Sequence, residues 1–359
     1  MRPSLNWLLV FLPVALALRY VPGWRHDTML FVASALGIVP LAGWMGHATE
    51  QLARRMGQGV GGLLNASFGN AAELILALIA LQAGRIEVVK ASITGSIIGN
   101  LLLVLGFSAF AGGLRHRRQT FNKTAARAGC TALILAAAAL VIPTVFHYSA
   151  GRAGGWTPLG EQRLSLAIAC ILLATYAAML VFSLVTHRQL YVGGDAGEAD
   201  PDPEPAWSVA RAVGVLVVAT LAVAWLSEFL VGAVEAAQHS LGVSETFVGV
   251  IIVAIVGNAA EHSTAVTMAW KNQLALSLGI AVGSSLQVAL FVAPVLVFAS
   301  YGFHRQLSLE FSPPEVAAVV LAAFVTDQIA GDGETNWLEG VQLLALYAII
   351  AVLFYFLPV

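Results

Sequence analysis

The sequence predicts an all-α polytopic membrane protein with about eleven transmembrane helices. Three observations support this fold class: 58% of the residues are apolar, only 11% are charged, and apolar runs of spanning length follow one another along the chain. Ordinary soluble domains carry about 25% charged residues, so this chain lacks the polar surface that water requires. The composition therefore excludes a soluble globular enzyme, and the lipid bilayer is the expected environment.

Apolar runs between charged or Gly/Pro-rich breaks predict the individual helices. They show no alternation of the kind that marks membrane β-strands. The first run follows Arg2 and ends in small residues, so a cleaved signal peptide is the competing interpretation. We expect this run to be retained, because it reaches spanning length. The predicted spans are 5–22, 28–47, 60–83, 88–112, 125–147, 162–186, 208–233, 245–269, 273–300, 313–330 and 337–357.

The distribution of basic residues predicts the orientation in the membrane. Loops on the side of the N-terminus carry more Lys and Arg than the opposite loops, which predicts a cytoplasmic N-terminus and an external C-terminus. Short loops favour a prokaryotic protein, so we expect a bacterial inner (plasma) membrane. Residues 191–207 form an acidic cytoplasmic linker, for which a solvated spacer and a weak cation sensor are the two alternatives.

The charge balance and the cysteines exclude several kinds of partner. The net charge is −2 and no long basic run is present, so no nucleic-acid partner is expected. Cys130 and Cys170 lie inside apolar runs without metal-ligand spacing, and we expect both to be small core side chains. The sequence predicts no cofactor, and it says nothing about the oligomeric state.

An internal repeat divides the chain. The pentapeptide GNAAE occupies residues 69–73 and recurs 188 residues later at 257–261, and Gly95-Ser96 recurs at the same offset as Gly283-Ser284. This repeat predicts an N-terminal helix (1–27), a first five-helix repeat (28–190), the linker, and a second five-helix repeat (208–359). An odd number of helices in each repeat inverts the second copy relative to the first. Inverted repeats are typical of secondary transporters, whose substrate site lies near the membrane midplane.

The two motif glutamates are the candidate residues for both metal and proton exchange. Glu73 and Glu261 lie inside predicted apolar helices, where an ionised carboxylate costs about 2.5–3.5 kcal/mol. Each must therefore take up a proton or face a cation. If the two side chains converge, protons and a divalent cation compete for the same pair of carboxylates, which is the physical basis of exchange.

Oxygen-bearing side chains surround the glutamates in the sequence. Asn70 and Asn258 each precede a glutamate by three positions, so each amide shares a helix face with its carboxylate and is a candidate metal ligand. Gly69 and Gly257 can loosen the helix and expose backbone carbonyls, although close helix packing is the alternative reason for such small residues. An oxygen-rich set favours a hard cation such as Ca²⁺ over zinc, copper or iron. Further ligands or hydrogen-bond partners are expected from the next helix of each repeat: Thr94, Ser96, Asn100, Ser284, Ser285 and Gln287.

Three further titratable residues have two interpretations each. His262 follows Glu261 directly and either relays protons or packs against neighbouring helices. Glu50 and Glu235 fall near helix ends in the two repeats. They are either vestibule acids that guide a cation inward or end groups that extend toward the membrane surface.

The motifs resemble those of a known family. Residues 65–74 (NASFGNAAEL) and 257–262 (GNAAEH) resemble the two repeat motifs of the cation/proton exchanger family within the calcium/cation antiporter superfamily. The stretch GSIIGNLLLVLG at 95–106, the eleven helices and the acidic loop after the sixth helix are also similar. The resemblance implies proton-driven export of Ca²⁺ by alternating access, with Glu73 and Glu261 as the alternating metal and proton sites.

One departure keeps the choice of cation open. Gln287 and Val288 do not repeat Gly99 and Asn100, so the two halves need not contribute ligands equally. The leading hypothesis is a Ca²⁺/H⁺ antiporter. The alternatives are coupling to Na⁺ or K⁺, transport of Mg²⁺ or Mn²⁺, and a passive cation channel. An intramembrane enzyme is disfavoured, because the motifs offer no activated nucleophile.

Overall fold

The computed structural model describes residues 5–24, 26–56, 61, 63–64, 67–152, 154–187 and 207–357. The described residues are helical apart from connecting turns and two short strands, Gln119–Thr120 (β1) and Glu334–Thr335 (β2), which pair antiparallel. The acidic linker lies outside the described residues except for its last position, 207. The predicted span 60–83 is described only in part before residue 67.

Each predicted span overlaps a helix in the described part of the chain. Among the described residues, eight helices are long and apolar enough to cross a membrane, or nine if one strongly bent pair forms a single span. The all-α polytopic fold is therefore confirmed, whereas the count of eleven spans is not established, because α1 and α3 are short. The helices are α1 Leu5–Tyr20, α2 Asp27–Arg55, α3 Ala71–Gln82, α4 Ile86–Arg115, α5 Lys123–Arg152, α6 Pro158–Thr186, α7 Val209–Leu241, α8 245–270, α9 Leu274–Gly302, α10 Pro313–Ala330 and α11 Trp337–Phe356.

A sharp bend joins α7 to α8. The segment Val234–Leu241 and the segment Glu245–Ala259 meet at 110°. Gly242 ends α7 with a left-handed φ of 66°, a conformation that glycine adopts without steric cost. Ser244 then caps α8 by accepting a hydrogen bond of 3.1 Å from the backbone N–H of Phe247. The local sequence thus sets the point at which the second motif helix begins.

Short π-helical segments interrupt several of the spans. One lies in α4 at Gly99–Val104 and another in α9 at Val288–Val292, and their last residues are 188 positions apart, which is the offset of the repeat. A third, Val248–Val253 in α8, ends four positions before Gly257, where the second motif begins. Such segments are frequent at functional sites. Their spacing agrees with the predicted repeat, which itself stays a prediction.

The first compact unit comprises Met1–Ser92, Asp200–Ala260 and Phe354–Val359. Within it, α2 packs along α7, while α1 packs against α2 and α3 against α7. Gly37 allows α2 to approach α7 closely, because a Cβ at this position would lie 2.9 Å from Cδ1 of Leu226. Phe31, Ile38 and Leu230 are among the buried side chains of this core. The unit holds the first motif and the beginning of the second.

The second compact unit comprises Ile93–Ala199 and Glu261–Leu353. Here α5 packs against α9 and α10, and α6 packs against α9. Cys130 is buried, as expected, but the prediction for Cys170 was wrong, because its side chain is exposed on α6. Both units draw helices from each half of the sequence, and the predicted domain boundaries stay a prediction.

Large apolar side chains lie exposed along several helices. Val218 and Leu221 of α7 and Ile349 of α11 each expose about two thirds of their surface, at 67%, 66% and 67%. Extensive exposed apolar surface of this kind is unfavourable in water and typical of a surface that contacts another apolar phase. Together with the apolar helices, it identifies an integral membrane protein.

Candidate functional site

Glu73 lies at a break in the first motif helix. Residues 67–68 are helical, Gly69 and Asn70 form a turn, and α3 starts at Ala71, which places Glu73 in its first turn. The loosening expected at Gly69 is therefore present. Glu73 is therefore not in the middle of a continuous helix, contrary to what the apolar run predicts. The positive end of the helix dipole stabilises a carboxylate at this position.

The side chain of Glu73 contacts the second motif within the first unit. A Cβ placed on Gly257 would lie 3.1 Å from Cγ of Glu73, and 3.6 Å from Cδ and from Oε1. Gly257 therefore leaves the space that the glutamate side chain occupies. Unlike Gly69, Gly257 lies in the uninterrupted helical segment Ala254–Trp270, so the loosening expected there is not observed.

The two motif asparagines are both buried. Asn70 exposes 3% of its surface and directly precedes α3. Asn258 exposes 1%, and its Nδ2 donates a hydrogen bond of 2.9 Å to the carbonyl oxygen of Ala254 in the same helix. Both amides are thus held in the protein interior, and amide oxygens are among the ligands that Ca²⁺ accepts. Their role as ligands stays a prediction.

Glu261 ends a chain of side-chain hydrogen bonds in the second unit. The hydroxyl of Ser284 donates to the Glu261 carboxylate. The same hydroxyl accepts a hydrogen bond of 2.9 Å from Nδ2 of Asn100, and both Asn100 and Ser284 are buried. Oε2 of Glu261 is buried and has no hydrogen-bond partner among the described residues. The structure thus brings together three of the predicted residues and leaves one carboxylate oxygen able to accept a proton or a cation.

His262 also has an unsatisfied ring nitrogen. Its Nε2 is buried without a hydrogen-bond partner in the described part of the chain. An unsatisfied buried polar atom is unfavourable and is often found at functional positions. This feature is compatible with proton relay and with packing, so the two interpretations of His262 both stay open.

The remaining predicted oxygen-bearing residues differ in burial and in hydrogen bonding. Ser96 is buried, whereas Gln287 is partly exposed. Ser285 donates a hydrogen bond of 2.9 Å to the carbonyl oxygen of Ala281 in its own helix and lies 3.5 Å from the carbonyl oxygen of Ile97. Ser285 thus serves helix packing in this structure, while Ser284 serves the glutamate.

Sequence reasoning missed Glu315, a glutamate that exposes only 2% of its surface. Oε1 of Glu315 accepts a hydrogen bond of 2.9 Å from Thr94, and Oε2 accepts from the backbone N–H and hydroxyl of Ser312. The pattern Ser-Pro-Pro-Glu at 312–315 is a recognisable capping box. That signal predicts the start of α10, but it does not predict the contact with Thr94.

The two predicted vestibule acids are both ion-paired. Glu50 pairs with Arg54 one turn later in α2 at 2.6 Å. Glu235 pairs with Arg85 at 2.8 Å, and Arg85 also pairs with Glu245 at 3.2 Å. Arg85 and Glu245 were not identified from the sequence, because an isolated loop cation gives no motif. A vestibule role for Glu50 and Glu235 stays a prediction.

The sequence of this chain is similar, over nearly its whole length, to a known protein family and to named members of it. The sequence pattern of the sodium/calcium exchanger protein family matches residues 26–185 and 211–356. A Ca²⁺/H⁺ antiporter of Synechocystis sp. is 48% identical, covering 98% of this chain and 96% of its own length. The Ca²⁺/H⁺ antiporter ChaA of Bacillus subtilis is 47% identical, covering 92% of this chain and 93% of its own.

A solved structure shows the same relationship. The structure of native YfkE has a TM-score of 0.83 and 41% identity to this chain, and the similarity covers 99% of this chain and 100% of that one. The match of the family pattern spans more than half of the sequence. The chain therefore belongs to the sodium/calcium exchanger protein family, and its predicted membership of the cation/proton exchanger branch is confirmed.

Proposed function

We infer that this protein is a secondary active transporter that exchanges Ca²⁺ for H⁺ across a membrane. The observation that carries this inference is the pair of motif glutamates in a chain that is 48% identical to a Ca²⁺/H⁺ antiporter over nearly its full length. Ca²⁺ and H⁺ are then the substrates, and no further cofactor is needed. We further propose that the protein exports Ca²⁺ from the cytoplasm of a bacterial cell, with the N-terminus cytoplasmic and the C-terminus outside.

Glu73 and Glu261 are proposed to carry both the metal and the protons. Glu73 lies in the first turn of α3, where the helix dipole favours its ionised form, which is the form that binds a cation. One oxygen of Glu261 accepts a hydrogen bond from Ser284, while the other has no partner among the described residues and is available to a proton or a cation. Deprotonated glutamates bind Ca²⁺, and protonation releases it.

The amide and hydroxyl oxygens complete the proposed coordination. Ca²⁺ requires six to eight oxygen ligands, which two carboxylates alone do not supply. Asn70 and Asn258 are buried within three residues of the glutamates and are the proposed additional ligands. Alternating access then exposes the loaded site to one membrane face at a time, and the two-way competition between protons and Ca²⁺ couples their gradients.

Proton efflux from vesicles tests this function. The purified full-length protein is reconstituted into acid-loaded proteoliposomes, and the internal pH is followed after external Ca²⁺ is added. We expect Ca²⁺ to collapse the pH gradient with the native chain and to have no effect with Glu73→Gln or Glu261→Gln, which preserve shape and remove charge. Glu87→Gln is the matched control, because Glu87 is an exposed glutamate in the first turn of α4.

The same vesicles separate the alternatives. Ca²⁺ uptake that follows a Na⁺ gradient, with no response to the pH gradient, would contradict proton coupling and indicate a sodium-coupled exchanger. Replacing Ca²⁺ by Mg²⁺ or Mn²⁺ tests the choice of metal. Accumulation of Ca²⁺ against its own concentration gradient excludes a passive channel. Full activity in either glutamate variant would show that the two carboxylates do not carry the exchange together.

A further inference from the structure

A cluster of three charged side chains lies in the first unit, outside the two motifs. Arg85 lies in the short turn between α3 and α4, after Gly84, which has a left-handed φ of 77°. Its two terminal nitrogens bind different acids: Nη2 lies 2.8 Å from Oε2 of Glu235, and Nη1 lies 3.2 Å from Oε1 of Glu245. One guanidinium group therefore joins the α3–α4 turn to residues on either side of the α7–α8 bend.

This cluster differs from an ordinary surface ion pair. The side chain of Arg85 is 32% exposed and that of Glu245 is 27% exposed, so both are partly shielded from water, while Glu235 is 62% exposed. The hydrogen bond to Glu235 raises the pKa of Arg85 above its ordinary value, although partial burial acts in the opposite direction. A planar guanidinium that binds two carboxylates at once also restricts orientation, which a single exposed pair does not.

Two of the three residues, Arg85 and Glu245, lie at the ends of the two motif helices, and Glu235 lies in α7. Arg85 follows α3, whose first turn contains Glu73. Glu245 is the first residue of α8, which carries Gly257 further along. Because Glu73 contacts Gly257, the separation of α3 and α8 decides how much space the glutamate side chain has. The position 188 residues after Arg85 is the uncharged Gln273, so the repeat does not duplicate this arginine.

We propose that Arg85 is a positioning residue for the exchange reaction: by binding Glu235 and Glu245 together, it holds α3 and α8 at the separation that seats the Glu73 side chain against Gly257. This inference rests on the proposed function, in which Glu73 binds Ca²⁺. Arg85 itself touches neither substrate. Its loss shifts Glu73 and weakens Ca²⁺ binding, while the protein remains folded and the carboxylate remains present.

Transport kinetics in proteoliposomes provide the first test. We expect Arg85→Gln to raise the KM for Ca²⁺ about tenfold, with a smaller change in kcat and an unchanged melting temperature. In a double-mutant cycle, Glu245→Gln adds little to Arg85→Gln, because both remove the same contact. Arg118→Gln is the matched control, since Arg118 also joins two chain segments through an exposed pair with Glu334, and neither residue belongs to a motif helix. An unchanged KM in Arg85→Gln, or additive effects in the cycle, would overturn the proposal.

A distance measurement provides a test that does not require transport. Spin labels are attached at Gln82, an exposed residue at the end of α3, and at Thr246, a partly exposed residue in the first turn of α8, after Cys130 and Cys170 are replaced by alanine. We expect one narrow distance distribution with Arg85 present and a broader one in Arg85→Gln. Identical distance distributions in the two proteins would contradict the positioning role of Arg85. A native chain that shows the narrow distribution but no Ca²⁺-driven proton flux would instead contradict the proposed function.

Discussion

The carboxylate side chain of Glu73 lies against Gly257, the glycine that opens the second copy of its own motif. A Cβ on Gly257 would come within 3.1 Å of Cγ of Glu73, which is closer than an ordinary van der Waals contact. The first residue of one GNAAE sequence thus provides space for the last residue of the other. The glutamate side chain therefore requires a glycine at position 257, and this requirement does not come from a break in the helix that contains Gly257.

Gly257→Ala is expected to lower Ca²⁺ transport about tenfold with little loss of stability. The added methyl group displaces the flexible glutamate side chain by a few tenths of an ångström, and small displacements of reacting groups have large effects on rate. Initial rates of Ca²⁺-dependent proton efflux measure the change. Gly46→Ala in α2 is the control, because no atom lies within 4 Å of a Cβ at that position. Equal activity of the two variants would contradict the importance of the contact.

Two adjacent serines are expected to differ in their effects. Ser284→Ala removes the hydrogen bond to Glu261, and a hydrogen bond to a charged group contributes about 1.5–3 kcal/mol. We therefore expect the apparent Ca²⁺ affinity to fall about tenfold or more. Ser285→Ala removes a bond within one helix and should change the affinity much less. Titration of transport rate against Ca²⁺ concentration compares the two, and a larger effect of Ser285→Ala would show that the assignment is wrong.

Removal of Ca²⁺ is expected to lower thermal stability. A ligand present at about 100 times its Kd stabilises the folded protein by about 2.7 kcal/mol, provided that the unfolded chain does not bind it. The melting temperature of the detergent-solubilised protein should therefore rise by several degrees when Ca²⁺ is added and fall again with a chelator. In Glu261→Gln this response should be absent. A Ca²⁺-dependent shift of the same size in that variant would place the bound cation elsewhere.

Gly340→Ala is expected to reduce stability without altering the chemistry of the motifs. A Cβ on Gly340 of α11 would lie 2.8 Å from the carbonyl oxygen of Gly106 and 2.8 Å from Cα of Phe110 in α4. These are backbone contacts that cannot relax easily, and overpacking of this kind costs about 1–3 kcal/mol. Thermal unfolding measures the loss. Gly279→Ala, where a Cβ meets nothing within 4 Å, should keep the native melting temperature.

Much of the fold follows from the sequence because the bilayer restricts the possibilities. A run of about 20 apolar residues has to form a helix in lipid, where every backbone polar group needs an internal partner. The predicted span 313–330 agrees with α10 at both ends, and the predicted span 337–357 agrees with α11 to within one residue. The prediction fails where the run is interrupted: α3 is shorter than its span, because Gly69 and Asn70 form a turn.

The candidate glutamates follow from the sequence for a similar reason. A carboxylate in an apolar helix is energetically unfavourable, so such residues are rare and usually have a function. The recurrence of the motif at a fixed offset also distinguishes Glu73 and Glu261 from the other acidic residues of the chain. The contacts between the residues of the site cannot be predicted from the sequence. Ser284 and Ser285 are neighbours in the sequence, yet they point about 100° apart around the helix axis. In a helix that is apolar on most sides, the sequence does not indicate which face meets a partner.

The sequence by itself determined the membrane class, the positions of most helices, the repeated motif and the two glutamates, because each depends on local composition or on spacing along one chain. Only the tertiary structure placed Gly257 against Glu73, Ser284 on Glu261 and Arg85 between Glu235 and Glu245. Those contacts join residues about 150 or more positions apart, or residues on different helices. They depend on how each helix is rotated and shifted against its neighbours, which apolar runs leave undefined.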